Sequence, residues 1–540
     1  MVKQNCWLAV ILILMLFSIG TSQIQRWVYH YNGPANSWDE AYSLVYGADE
    51  NIYIAGYSQG IGSYYDFTVI SLTSTGSPRW IYRDNGAAND ADRANSLVYG
   101  ADGNVYVAGM SIDIDTTYGD FTVISLTAAG NRRWVYRYNG PGNYWDEAYS
   151  LVYGADGNIY IAGYSTGSNA YSNFTVISLT STGSQRWVYW YSGPANTSDG
   201  AYSLVYGQDG NIYIAGQSLG SGYSSNSTVI SLTSAGAERW VYQYYGPSGY
   251  NYANSLVYGA DGNIYIAGNS FSGGTNWDFT VISLTSAGTE RWVYPNYGPG
   301  NAAYSLVYGL DGNIYSAGIS TGSDTSYDFT VISLTSTGTE RWVYRYNGPG
   351  NGGDWAFSLV YGADGNIYSA GATYGIGTSY DFTVISLTST GTYKWAYRTN
   401  GPGNSYDCAN SLVYGADGNI YVAGKTYDSA TYDDFTVISL NPAIGIEEER
   451  MTLDAERFTP EIYPNPAKSE IRVRCPLSVV GARFGRLRIF DVSGKLVKEI
   501  ATPVSPIRND GEEVISLKGI NPGIYFLRFG TEIKKFLVIK

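Results

Sequence analysis

Short apolar runs separated by short polar gaps fill the chain from Arg26 to Leu440, and the runs come in a fixed order of four. One copy reads RWVYRY from Arg133, AYSLVY from Ala148, NIYIAG from Asn158 and NFTVISLT from Asn173. Each run is β-branched or aromatic and bounded by Gly, Asn, Asp or Ser, which predicts a strand. Apolar residues stand at consecutive positions, as in Ile159, Tyr160, Ile161 and Ala162, rather than alternating with polar ones. Both faces of each small sheet must then be buried, so sheets stack on sheets. Ala155-Asp156-Gly157-Asn158 and Thr182-Gly183 supply residues that tolerate positive φ, as tight hairpins require.

An Arg-Trp or Lys-Trp pair marks the set of four runs at Trp27, Trp80, Trp134, Trp187, Trp240, Trp292, Trp342 and Trp395, giving eight units spaced 50 to 54 residues apart. Four-stranded antiparallel units of this length, stacked face to face, predict an all-β fold, an eight-bladed β-propeller. A β-helix needs a coil of about 20 to 25 residues and an immunoglobulin-like array about 100, so both fit less well.

Composition agrees with strands and turns: 54 Tyr, 66 Gly and only 14% charged residues, against about 25% charged in an average soluble protein. A formal net charge of −14 disfavours nucleic acid and anionic membrane surfaces as partners. Residues 1–22 place Lys3 before the apolar run Trp7 to Ile19 and the small residues Gly20, Thr21 and Ser22, the layout of a secretory signal peptide. That run, about 13 residues, is too short to span a bilayer. No transmembrane segment is expected in the mature chain. Cys6 precedes the run and Cys408 and Cys475 fall in different modules, which excludes a multi-bridge disulfide framework.

The segments DGNIYIAGYS and RWVYRYNGPGN resemble the SBBP-type bacterial propeller repeat, over about Arg26 to Leu440. A second pattern, T-G-x-x-x-W, resembles the tryptophan-docking motif of eight-bladed quinoprotein-type propellers. It is complete at Thr75-Gly76 before Trp80, Thr182-Gly183 before Trp187, Thr337-Gly338 before Trp342 and Thr390-Gly391 before Trp395. Ala129, Ala235 and Ala287 replace its Thr in three units, and the first unit has no preceding turn. An indole held between blades buries about 150 to 250 Å². At about 25 cal/mol per Å² this is on the order of 4 to 6 kcal/mol of gross transfer free energy, so the eight Trp are core residues. The resemblance makes AYSLVY the innermost strand, which implies that the N-terminal strand Arg26 to Tyr31 completes the last blade. Asp102, Asn104 and their equivalents are turn residues first, because two oxygen donors fall short of the six to eight that calcium takes.

Loops before AYSLVY and after NIYIAG share one face of such a ring. On the other face Gly-Ala-Asp-Gly-Asn and Thr-Ser-Thr-Gly recur nearly unchanged. The first face varies in length and chemistry, and it holds Trp38 beside Asp39, Trp145 beside Asp146, Trp277 beside Asp278, and Trp355 beside Asp354. An exposed aromatic next to a carboxylate suits a neutral sugar or a protein epitope, by stacking on one and hydrogen-bonding to the other. The alternative is that these residues only pack loops together. Trp190 stands outside both sets.

Catalytic chemistry has little to work with. His30 is the single histidine and sits where other units have Arg137, Trp190 or Gln243, which argues against a Ser-His-Asp triad and against zinc. The adjacent cysteine pair of many alcohol-oxidising quinoproteins is absent. Asp39, Glu40, Asp146 and Glu147 leave glycoside chemistry open. No metal or cofactor is expected.

After Leu440 the pattern changes. Residues 441–458, with Glu447, Glu448, Glu449 and Arg450, read as a linker and residues 459–540 as a small immunoglobulin-like β-sandwich, with runs at Ile471, Leu487, Lys495, Val514, Ile524 and Lys534. The last hundred residues hold 16 Lys and Arg against 13 Asp and Glu, net +3, leaving the first 440 at −17. Tyr463-Pro464-Asn465-Pro466, Asp491 to Lys495 with Gly494, Gly523 with Tyr525, and Lys534-Lys535 near the end resemble the C-terminal sorting domain of type IX secretion cargo. The resemblance implies export from a Gram-negative cell through the periplasm, with the type IX machinery as partner. The sequence therefore points to a secreted or cell-surface, non-enzymatic protein that binds a glycan or protein through its variable loops. A carbohydrate-active enzyme on the same ring and a structural surface-layer protein are the rival readings.

Overall fold

A computed structural model describes residues 24–442, apart from a few loop-tip positions, and seven strands of the C-terminal region between Glu461 and Val538. The chain divides into two compact units between Glu449 and Arg450.

The first unit is an eight-bladed β-propeller. Seven blades are four consecutive antiparallel strands, as in blade one: Asp39–Tyr46, Asn51–Gln59, Tyr65–Thr73 and Pro78–Asp84. The eighth takes three strands from the end of the repeat region, Cys408–Tyr414, Ile420–Asp428 and Tyr432–Leu440, and its outermost strand, Gln25–Tyr31, from the N-terminus. That strand runs antiparallel to Tyr432–Leu440, with Val28 opposite Ile438 and Tyr31 opposite Phe435, and the Asn441 amide donates to the Ile24 carbonyl at 2.7 Å. The ring is closed by pairing between the first and last strands of the repeat region, as the phase of the repeats implies.

The unbroken apolar runs are the two middle strands of each blade. In blade one Ile52, Tyr53, Ile54 and Ala55 and then Phe67, Val69, Ile70 and Leu72 are solvent-inaccessible, because each blade is covered by a neighbour on both sides. The Gly that closes every NIYIAG run answers a bulge in the innermost strand. In blade three the pairing shifts between Ala148 and Ser150, and a Cβ on Gly163 would lie 1.9 Å from the Glu147 carbonyl oxygen.

Blade is joined to blade by the tryptophans. Trp80 Nε1 donates to the Ala128 carbonyl at 2.9 Å in the third hairpin of the next blade, and its ring lies on Gly130, where a Cβ would come within 2.6 Å of the indole. Trp27, Trp134, Trp187, Trp240, Trp292 and Trp342 repeat the contact at 3.1 Å. Trp395 has no such hairpin ahead of it, since the chain leaves the ring at Asn441. It is instead fully buried in a cluster with Ile24 and Val28 packed against it.

The Arg of each Arg-Trp pair faces into its own blade. Arg79 Nη1 donates to Ser71 Oγ (2.8 Å) and Tyr53 Oη (3.1 Å), and the Tyr53 hydroxyl donates to Asp49 Oδ2 at 2.6 Å. Aspartate, tyrosine and arginine thus tie the hairpin turn to the outer strand.

One turn residue and one strand glycine predict substitutions of opposite sign. Glu50 has φ of 63°, where the equivalent residue in the other seven blades is Gly. Glu50→Gly should stabilise the propeller by about 1 kcal/mol by relieving a left-handed non-glycine residue. Gly163→Ala should destabilise it by about 1 to 3 kcal/mol or more, through overpacking against backbone. Chemical denaturation of the two variants against the parent chain measures both.

Candidate functional site

The variable face is made by one device at the head of each innermost strand. Asp39 Oδ2 accepts the Gly33 amide at 2.6 Å and Oδ1 the Gln59 amide at 3.0 Å, so one carboxylate holds together the two loops of its blade. Asp146 does the same with Gly140 and Thr166, and Asp354 with Gly348 and Tyr374. Asp92, Asp199 and Asp407 occupy the same row, and Asn251 and Asn301 replace the carboxylate in blades five and six.

This corrects the expectation that these carboxylates are displayed: Asp39, Asp146 and Asp354 are fully buried staples. Asp278 is buried as well but belongs to a different row, at the start of a third strand, with Asp66 and Asp381, which pair with Arg83 and Arg398. Trp277 and Trp355 are likewise strand residues rather than loop residues. Trp277 is half-buried against Phe271 (5.3 Å between ring centres) and Tyr252 (5.7 Å), and Trp355 against Tyr380 (4.7 Å). Trp145 leans on Tyr118 at 6.0 Å. Trp38 alone of the four is strongly exposed, at 45%, stacked on Tyr432 at 6.1 Å with the rings 15° apart.

The face is nevertheless aromatic. Of the fourteen exposed large hydrophobic side chains among the described residues, eleven lie on it, including Tyr64, Tyr144, Tyr171, Tyr245, Tyr327 and Tyr432 beside Trp38. Sequence reasoning missed the tyrosines because Tyr is frequent everywhere in the chain. Their distinguishing signal is position in the loops of unequal length.

Glu40 and Glu147 head the innermost strands of blades one and three, and each is tied across a blade boundary. Lys425 Nζ lies 3.3 Å from Glu40 and 2.9 Å from Asp433, and Asn410 and Tyr57 donate to Glu40 at 2.9 and 3.2 Å. Arg93 grips Glu147 in a fork at 2.8 and 2.9 Å, with Asn95 at 2.8 Å. Cys408, beside this first cluster, is a free, buried thiol pushed up to about 12 by burial, and Cys475 lies outside the described residues. His30 Nδ1 is 3.0 Å from Thr436 Oγ1, and burial lowers its pKa. On the constant face, Asp102 accepts the Asn104 amide (3.2 Å) and the Tyr106 hydroxyl (2.5 Å). No group of three His, Cys, Asp or Glu gathers as a metal-binding cluster among the described residues.

The C-terminal unit has two antiparallel sheets: Glu461–Tyr463, Glu470–Arg474 and Glu512–Ser516 in one, Leu487–Asp491, Leu496–Ile500, Gly523–Phe529 and Glu532–Val538 in the other. The second sheet sets Asp491 opposite Tyr525, Gly523 opposite Val538, and Lys534 and Lys535 opposite Leu527 and Phe526. Tyr463 pairs with Arg472 in the first sheet. Pro464, Asn465, Pro466, Gly494 and Lys495 lie outside the described residues, as do residues 1–23.

Residues 461–540 match the family described as secretion system C-terminal sorting domain. This tail makes the chain a secreted or cell-surface protein on a propeller scaffold. No curated protein matches it in sequence. Solved structures similar in fold include a eukaryotic initiation factor (10% identity, 70% of this chain and 81% of that one, TM-score 0.41). A polysaccharide lyase of the PL25 family, an ulvan lyase, is similar at 11% identity over 64% of this chain and 88% of that one, TM-score 0.39. Drosophila plexin A, solved with semaphorin 1b, is similar at 8% identity over 77% and 87%, TM-score 0.38. No helix among the described residues is long and apolar enough to cross a membrane.

Burial pushes the staple carboxyls up, Asp39, Asp146, Asp354 and Asp407 to about 7 and Asp92 to about 8, against the opposing pull of the backbone amides. An acid whose pKa is raised by folding makes the native state bind more protons than the unfolded chain between the two pKa values. Stability should therefore fall as pH rises from about 4 to about 8, and calorimetric melting across that range should show it. The triple variant Asp39→Asn, Asp146→Asn, Asp354→Asn should flatten the dependence.

Proposed function

We propose that this protein is a secreted or cell-surface binding protein that recognises a glycan or protein through the variable loop face, without catalysing a reaction. The observation that carries the reading is the concentration of exposed aromatic side chains on that face, on loops whose frame is stapled from within. Tyr and Trp present large amphipathic surface at low entropic cost, which suits them to recognition. A rigid ring with loops of unequal length is a display scaffold. Against the enzymatic alternative stands the engagement of Glu40 and Glu147 in ion pairs, which leaves neither carboxylate free. The repeats are read as SBBP-type, and the two C-terminal sheets as an immunoglobulin-like sandwich that engages the type IX machinery after signal-directed passage to the periplasm of a Gram-negative cell.

A screen of the exported chain against glycans and surface proteins tests the reading. Replacing Trp38, Tyr64, Tyr144 and Tyr245 together by Ser should cut binding at least tenfold with little change in melting, since exposed side chains make few core contacts. Trp134→Ala should do the reverse, costing about 3 to 5 kcal/mol of stability as a large-to-small change at a blade interface. Equal destabilisation by both sets would make the loop aromatics packing residues.

Removing residues 461–540 should abolish delivery to the surface while leaving a folded propeller inside the cell envelope. Fractionation with a conformational assay checks this, and undiminished surface delivery would defeat the sorting assignment.

A further inference from the structure

The opposite, constant face carries the mouth of the axial channel, and nothing in the loop-face reading uses it. The innermost strands end there in a ring of tyrosines, one from each blade, and Tyr46, Tyr99, Tyr153, Tyr206 and Tyr414 line a cavity of about 1130 Å³ together with the Gly-Ala pairs of the following turns. That is at or just above the upper end of the roughly 300 to 1,000 Å³ usual for small-molecule sites. We propose that this cavity is a second binding site, for a neutral oligosaccharide.

Three observations point that way. The tyrosine rings are half-buried against rings of the preceding blade: Tyr99 stacks on the buried Tyr53 at 5.4 Å and Tyr46 on Tyr421 at 5.5 Å, and Tyr153 lies tilted on Tyr106 at 5.6 Å. Packing requires only the ring, and Phe357 shows the chain using Phe for Tyr at another position of the innermost strand. The hydroxyls of the five lining tyrosines make no hydrogen bond to the protein among the described residues, so they remain available as donors and acceptors at the rim. Two of the turn carboxylates around it face an arginine, Asp49 with Arg79 and Asp102 with Arg133 at 4.0 Å, and Asp364 in the cavity wall is held by Asn366 at 2.8 Å and Tyr368 at 2.5 Å. An aromatic wall with free hydroxyls matches the apolar faces and equatorial hydroxyls of an uncharged sugar, and the Asp364 carboxylate in the wall disfavours an anionic one.

The test is calorimetric titration of the exported chain with maltohexaose, cellohexaose, laminarihexaose and xylohexaose. One of them should bind at submillimolar concentration. Ala48→Leu, Ala101→Leu, Ala155→Leu and Ala416→Leu together should weaken it at least tenfold by narrowing the mouth. Leu310 and Gln208 occupy the same turn position in other blades, so the turn accepts a larger side chain. Tyr46→Phe, Tyr99→Phe and Tyr153→Phe together keep the rings and should weaken binding severalfold. Absence of binding by all four sugars, or binding that survives both sets of changes, would overturn the proposal. So would binding lost only when Trp38, Tyr64, Tyr144 and Tyr245 are replaced, which would assign the sugar to the loop face instead.

Discussion

The indole that reaches from the outer strand of one blade to the hairpin of the next is the contact on which the ring depends. A four-stranded sheet with two apolar faces is unstable alone, because neither face can be left in water. Each blade must therefore be sealed against two neighbours, and the seal has to set their spacing and angle. Trp80 does both by placing its ring on Gly130, where no side chain fits beneath it, while its N–H takes the Ala128 carbonyl. The junction that lacks the contact is the one beside the closure, where Trp395 is buried outright and its N–H finds no protein acceptor among the described residues. Closure there rests on strand pairing between Gln25–Tyr31 and Tyr432–Leu440.

With spacing set by the outer strands, the two faces are free to differ. The constant face repeats one turn in which aspartate and tyrosine meet, joined by arginine in every blade but the seventh, and it carries an aromatic mouth lined by tyrosines of five blades. The other face needs loops of different lengths to end at the same strand register. A buried side chain at the head of each innermost strand meets that need: Asp39, Asp146, Asp199, Asp354 and Asp407 each gather two backbone amides whatever the loop between them contains, Asp92 takes one, and Asn251 and Asn301 stand in for the carboxylate in the other two blades. The exposed aromatic surface and the device that holds it are thus adjacent in sequence, as Trp38 and Asp39 are, yet opposite in exposure.

Adjacency is also why the site was only partly legible. Trp-Asp neighbours look like recognition pairs, but the carboxylate of each pair is turned inward, in Trp277-Asp278 because successive residues of a strand point to opposite sides and in the other three because the Asp is buried at the strand's start. Asp278 looked equivalent to Asp146 while lying in a different strand of its blade. The exposed tyrosines were set apart only by lying in loops of unequal length, against a background of 54 tyrosines spread through the chain. Glu40 and Lys425 lie at opposite ends of the repeat region, and only ring closure brings them to 3.3 Å.

What the amino-acid order determined by itself was everything that follows from local periodicity: strands from unbroken apolar runs, hairpins from Asp-Gly and Thr-Gly, eight blades from a repeated Arg-Trp pair, and a sorting tail from its spaced motifs. These depend on interactions within a few residues or between identical repeats, so the pattern carries them. The tertiary structure alone decided which aspartates are buried, which aromatics meet solvent, what Trp395 packs against and where the axial cavity opens. Each of those depends on surfaces brought together from distant repeats, and burial is a property of the assembled ring rather than of any segment within it.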